Sequence, residues 1–293
     1  MKPAPFRYLA PRDLDEALGL LEEHGPEAKP LAGGQSLVPA MNFRLAVPAV
    51  LVDLNRIDAL AGIGDARDGG LRIGAMTRQS LLERDPRVAE RAPLLRETMP
   101  HVAHPPIRNR GTVGGSLAHA DPAAELPAVM VALGATLRCR SRRGERRVAA
   151  DAFFLGPFAT ALEPGELLTG IDLPPPAPRT GWAFEEVARR HGDFALAGAA
   201  AAVELDALGA CRSARVVLFG VGEGPVVSAA AGAQLAGARP DARTIGGVAR
   251  AAAAELDPAG DIHATSAYRK HLAEVLVRRT VSRAAARAGG SAR

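Results

Sequence analysis

Cysteine is nearly absent from this sequence: Cys139 and Cys211 are the only two in 293 residues. They stand far apart, with no metal-type spacing. A disulfide scaffold, a zinc site and an iron–sulfur cluster held by this chain are therefore excluded. Aromatic residues are also scarce, at 4%. Binding to nucleic acid calls for basic charge gathered on one face with aromatic rings to stack on bases. The net charge is only +4, and no nucleic-acid partner is expected. Long apolar runs are missing too. The longest alanine-rich stretch, residues 195–203, is too short to cross a bilayer. Met1-Lys2-Pro3-Ala4-Pro5 opens no apolar signal-like segment, so a cytoplasmic location is expected. No glycine loop ends in Gly-Lys-Ser/Thr, which leaves a P-loop unsupported, and no serine or cysteine sits in a nucleophile elbow.

What remains is an ordinary globular balance, 47% hydrophobic and 23% charged, with length for one to three domains. The densest basic run, residues 138–147, surrounds Gly144 between two strand-like segments and reads as a solvated hairpin. The chain's most informative feature is a pair of glycine loops. They are Ala32-Gly33-Gly34-Gln35-Ser36 and Thr112-Val113-Gly114-Gly115-Ser116. Glycine permits close backbone approach and positive φ, and successive free N–H groups make a concave nest for phosphate oxygens. Two such loops suggest a dinucleotide diphosphate gripped between them. Gly220-Val221-Gly222-Glu223-Gly224 has the wrong spacing for a Rossmann turn and reads as a β-turn.

Around these loops the pattern is mixed. Leu14, Ala17, Leu18 and Leu21 predict a helix over 12–24, with Asp13 as N-cap and Gly25 as stop. Strands are expected at 29–32, 49–54, 70–76 and 166–173. A helix should begin at Thr77 or Ser80, and another should end at His101–His104, where Pro105-Pro106 prevents continuation. A buried helix is expected over 122–133, followed by the hairpin. Pro174-Pro175-Pro176-Ala177-Pro178 marks a stiff linker. Beyond it, strands at 182–187, 197–205 and 214–221 suggest an antiparallel meander, followed by helices near 244–256 and 266–287. Arg108 and Arg110 offer positive charge beside the second loop, and His119, Asp121 and Glu125 follow it. A carboxylate there suits ribose or ribityl hydroxyls; an Arg110–Asp121 surface pair is the competing reading. His101 and His104 lack a third metal ligand, and no acid–base set is evident.

The segments Ala32–Leu37 and Ile107–Glu125 strongly resemble the FAD-binding medium subunit of the molybdenum hydroxylases, the xanthine dehydrogenase and aerobic carbon monoxide dehydrogenase group. Further matching stretches are Phe153–Pro157, Glu163–Leu168, Arg189–Phe194, Tyr268–Leu272 and Val277–Arg279, so the likeness spans nearly the whole chain. It implies an α+β protein: a vanillyl-alcohol-oxidase-like two-subdomain FAD-binding domain, then a smaller α+β domain with an antiparallel sheet and helices. The expected division is 1–57 and 58–176 for the two FAD-binding subdomains, 177–287 for the C-terminal domain and 288–293 for a tail. By the same resemblance the cofactor contacts are Lys29, Pro30, Leu31, Ala32, Gly33, Gly34, Gln35, Ser36, Ala103, Thr112, Val113, Gly114, Gly115, Ser116, Asp121, Glu125, Leu168 and Arg189. Gln35 stands where some oxidases of the wider fold carry a flavin-linked histidine, so non-covalent FAD is expected. Ser116 replaces a frequent asparagine, and Glu186 a frequent basic residue.

The family's chemistry accounts for the missing acid–base set, because a flavin carries electrons itself. The implied partners are a large subunit with a molybdenum pterin and a small subunit with two [2Fe–2S] clusters, in a dimer of heterotrimers. This chain would carry only the last relay, to an external acceptor. A self-sufficient FAD oxidase or reductase of the same fold and a non-catalytic nucleotide-binding module are the alternatives.

Overall fold

The computed structural model describes residues 2–66 and 68–290. The first layer is a small parallel sheet. Strand β1 (Arg7–Leu9) leads to helix α1 (Leu14–His24), strand β2 (Ala28–Leu31), helix α2 (Leu37–Asn42) and strand β3 (Val50–Asp53), in the order β1-β3-β2. The periodic face of α1 explains its place: Ala17, Leu18 and Leu21 pack with Val50 and Val52 in one core. Asp13 caps the helix through Glu16 N–H, and Gly25 ends it at φ 50°, both as the sequence indicates.

A larger antiparallel sheet follows. It contains β4 (Ile63–Asp65), β5 (Leu71–Gly74), β6 (Thr136–Ser141), β7 (Gly144–Ala149) and a later strand, Leu167–Leu173. Between β5 and β6 run six short helices. They are α3 (Gln79–Arg84), α4 (Pro86–Arg91), α5 (Pro93–Thr98), α6 (Pro105–Arg108), α7 (Val113–His119) and α8 (Glu125–Ala132). After β7 come a turn of helix α9 (Ala150–Phe153) and the two-stranded β8 (Phe154–Gly156) and β9 (Ala159–Thr160), so Leu167–Leu173 is β10 and the sheet order is β4-β5-β10-β6-β7. The arginine run lies on the β6–β7 hairpin, where Arg138 pairs with Glu145 at 2.8 Å and Arg146 with Glu166 at 2.7 Å. It is a hairpin, as expected, and most of its arginines stand in ion pairs.

Pro105-Pro106 corrects one expectation. The pair does not merely stop a helix; it opens α6 from its first positions. There a missing N–H costs nothing and the fixed φ is already helical.

The remaining strands form a meander: β11 (Thr180–Ala188), β12 (Ala195–Leu205), β13 (Cys211–Phe219) and β14 (Val226–Val227). Helices α10 (Ala229–Leu235), α11 (Ala242–Ala254) and α12 (Ser266–Ala288) complete the chain. The helix expected to end at 287 runs through Ala288, with Gly289 as its cap, so the proposed tail begins inside α12. Residues 291–293 of that tail lie outside the described residues.

The meander sheet is buried on both faces, and the two-residue period shows it. Ala183, Ala199, Ala201, Val216 and Leu218 pack beneath α11 and α12. Their neighbours Phe184, Ala200, Val217 and Phe219 enter the core that holds Leu94, Leu95 and Met130 of the FAD-side helices. One continuous core therefore joins the C-terminal sheet to the larger antiparallel unit. Glu97 of α5 reinforces the junction: it accepts from Arg287 at 2.5 Å and from the Phe184 N–H at 3.3 Å.

Candidate functional site

Where the first two sheets meet, a cleft of about 740 Å³ opens, within the usual size of a cofactor site. The first glycine loop forms one wall. Gly34 adopts φ 72°, which lets the chain turn sharply from β2 into α2. The N–H groups of Gly33, Gly34, Gln35 and Ser36 meet no acceptor among the described residues. Four consecutive free donors suit a diphosphate. The Gln35 amide donates back to the Gly33 carbonyl at 3.0 Å and stiffens the loop.

The second glycine pair is not a second open nest. It lies in the first turn of α7, capped by the Thr112 hydroxyl, which accepts from Gly115 N–H at 3.1 Å. Val113 and Gly114 donate to the Thr77 and Ala75 carbonyls at 3.0 and 2.8 Å. These amides are spent on the protein itself. The glycines serve packing instead: a Cβ at Gly114 would come within 2.5 Å of the Ala75 side chain, and one at Gly115 within 2.7 Å of Thr112 Oγ1. Thr112 and Ser116 still line the cleft.

Fifteen of the eighteen expected contacts line this cleft: Lys29, Pro30, Ala32, Gly33, Gly34, Gln35, Ser36, Ala103, Thr112, Gly114, Gly115, Ser116, Asp121, Glu125 and Leu168. Leu31, Val113 and Arg189 do not. Leu31 packs against Gly34 and Val113 is fully buried. Arg189 is exposed and contacts His263 at 3.1 Å. The cleft instead takes Gly192, Asp193 and Phe194 from the same β11–β12 connection. The Gly-Asp turn in that stretch was the signal; it bends the chain inward three residues past the arginine.

The expected positive charge is also placed differently. Arg108 is buried, paired with Glu83 at 3.1 Å and donating to the Val102 and Ala103 carbonyls. Neither Arg108 nor Arg110 lines the cleft. Asp121 does not pair with Arg110 either; it accepts from Ala123 N–H at 2.9 Å and turns the chain into α8.

Glu125 is the unusual group. It opens the wholly buried α8 and reaches the cleft. Burial first, then the nearby Glu186, push its carboxyl up to about 8. At neutral pH it keeps its proton, so it can donate a hydrogen bond as well as accept one. Behind it His101 contacts Glu186 at 3.5 Å, and that hydrogen bond raises the imidazole pKa.

Two left-handed residues shape the rim. Phe158 sits at φ 56° with its N–H on the Ala120 carbonyl, and Ala103 at φ 46°. Such backbone is costly for non-glycine residues. It presents the Phe158 ring, 5.0 Å from the His119 ring, to the cleft. Nothing in the sequence marks Phe158 for this.

Comparison with known proteins agrees with this architecture. Residues 4–176 match the FAD binding domain in molybdopterin dehydrogenase, and residues 182–284 the CO dehydrogenase flavoprotein C-terminal domain. The chain belongs to the FAD-binding medium-subunit family of the molybdenum hydroxylases. It is 41% identical to the carbon monoxide dehydrogenase medium chain of Afipia carboxidovorans, over 98% of this chain and 99% of that one. It is 42% identical to the caffeine dehydrogenase subunit beta of Pseudomonas sp. strain CBB1, over 98% and 97%. A solved carbon monoxide dehydrogenase from Hydrogenophaga pseudoflava superposes with a TM-score of 0.95 at 39% identity, covering 98% of this chain and 99% of that one. The cofactor of this medium subunit is FAD, and the residues present fit it. The free Gly33–Ser36 amides suit its diphosphate, and the cleft walls are mostly apolar. No group of three or more metal-ligating side chains occurs among the described residues, and Cys139 and Cys211 are both buried.

Proposed function

We propose that this chain is the electron-exit subunit of a molybdenum hydroxylase complex. It would take electrons from two [2Fe–2S] clusters on a small subunit and hand them to an external acceptor. Substrate oxidation would belong to a large molybdopterin subunit, in a cytoplasmic dimer of heterotrimers. The observation that carries this reading is the cleft itself: a row of free backbone donors, with no cleft serine hydrogen-bonded to a histidine among the described residues.

FAD, when bound, supplies a carrier that accepts two electrons and can release them one at a time. The protein's part is to hold and shield it. The amides of Gly33 to Ser36 would bind the diphosphate, assisted by Thr112 and the Ser116 hydroxyl. Protonated Glu125 would hydrogen bond to the ribityl or ribose hydroxyls. Phe158, His119 and Phe194 would keep water from the rim. The other cleft-lining contacts named above complete the proposed site, while Leu31, Val113 and Arg189 would act only behind it. The two FAD-binding subdomains would divide near residue 57 and the C-terminal domain would begin near 177. Relatives of similar identity bear the names of carbon monoxide and caffeine dehydrogenases, which supports placing substrate choice on another chain.

Gln35 has no nucleophilic ring nitrogen for a flavin bond. Acid precipitation of the yellow protein is expected to release FAD into the supernatant, one per chain. Flavin retained in the pellet would overturn non-covalent binding. A colourless chain that takes up no added FAD would overturn the proposed function.

A further inference from the structure

The first cofactor loop follows β2 of the small parallel sheet and the second leads into α7, so something must set the gap between them. A chain of side-chain hydrogen bonds crosses that gap behind the cleft. It starts at Tyr8 on β1, whose hydroxyl donates to Asp53 Oδ2. Asp53 Oδ1, at the end of β3, accepts from the Asn55 N–H at 3.0 Å and from Asn55 Nδ2 at 2.5 Å. Asn55 Nδ2 also donates to the carbonyl of Ala32, the residue before Gly33, at 2.9 Å. Asn55 Oδ1 accepts from Arg78 Nη2 at 2.6 Å. Arg78 Nη1 donates to the carbonyl of Arg110, two residues before Thr112.

The chemistry of this chain is directional. The Asn55 NH₂ faces a carbonyl and a carboxylate, and its oxygen faces a guanidinium, so every contact joins a donor to an acceptor. The Arg78 fork is what allows one side chain to reach both Asn55 and Arg110. No other side-chain hydrogen bond joins residues 32–36 to residues 110–116 among the described residues. The loops are in van der Waals contact where the chain crosses: a Cβ on Gly33 would lie 2.5 Å from the Arg110 carbonyl oxygen and 2.7 Å from Gly111 Cα. Asn55 and Arg78 themselves lie outside the cleft lining.

We propose that Asn55 and Arg78 are positioning residues, a clamp that fixes the spacing of the two loops and thereby the affinity for FAD. The inference rests on the FAD reading of the cleft. A pre-set gap spares the cofactor the cost of ordering the loops when it binds. Losing the clamp should weaken binding without removing any group that touches FAD.

The test uses the full chain, with FAD dissociation constants for the parent, Asn55→Ala, Arg78→Lys and the double variant, and thermal midpoints without FAD. Arg78→Lys retains the charge and loses only the fork. Each single variant is expected to bind FAD about 10- to 100-fold more weakly, the scale of a lost charge-assisted hydrogen bond. The double variant should be no weaker than the worse single one, because both break one connection. Cofactor-free midpoints should stay near the parent's. Arg78→Lys binding FAD within about twofold of the parent would overturn the clamp. So would an additive double variant, or a loss of affinity matched by loss of cofactor-free stability. If Asn55→Ala does not fold, Arg78→Lys alone decides. A parent chain that binds no FAD would instead refute the cofactor reading.

Discussion

Gly33→Val is expected to leave the chain folded and empty of FAD. Its Cβ would meet the Arg110 carbonyl oxygen at 2.5 Å and Gly111 Cα at 2.7 Å. Both obstacles are backbone, so neither can rotate aside. The loops must part, and the free amides of Gly33 to Ser36 would no longer face Thr112 and Ser116 across the cleft. The strain falls at the contact between two loops rather than in a core, so far-ultraviolet circular dichroism should match the parent. FAD occupancy after gel filtration should fall by at least about tenfold, and affinity with it. Full occupancy would mean that the loop contact does not govern cofactor binding. Position 33 is a cleaner probe than 114, where an added side chain also disturbs the packing of α7 on Ala75.

The second large effect is on stability. Phe219 is fully buried and stacks on Phe184 with ring centroids 5.7 Å apart. Its ring lies over Gly198, whose Cβ, if present, would fall 2.0 Å from Phe219 Cζ. The absence of a side chain at 198 makes room for this ring between the meander and the FAD-side helices. Phe219→Ala empties that space and should cost about 3–5 kcal/mol, as for other buried aromatic truncations. Chemical denaturation should show a lower midpoint with an unchanged slope. A loss below about 1 kcal/mol would show that the junction packs without this ring.

These cases separate what the sequence could reveal from what it could not. Helix α1 was readable because its apolar period, Asp13 cap and Gly25 stop are all local. The first glycine loop was readable for the same reason: a short strand delivers it and Gly34 needs positive φ. The second glycine pair was found, but its purpose was misread. Its amides are bonded within the protein, and its small size accommodates Ala75 and Thr112, neighbours that only the fold supplies. Arg108 looked like free charge because Glu83 is distant in sequence. Arg189 lies outside the cleft while Gly192 to Phe194 line it, because the depth of a turn between strands depends on their pairing. Phe158 and the Asn55–Arg78 connection depend on long-range contacts that periodicity does not record.

The central claim is that this chain takes electrons onto FAD from an iron–sulfur partner. The direct measurement mixes the FAD-loaded chain anaerobically with the reduced iron–sulfur subunit in a rapid-mixing spectrophotometer. Flavin absorbance should bleach as the cluster absorbance of the oxidised state returns, in matching electron equivalents. With Gly33→Val the clusters should stay reduced. Clusters that re-oxidise equally well with the FAD-free chain, or a flavin that stays oxidised beside them, would contradict it.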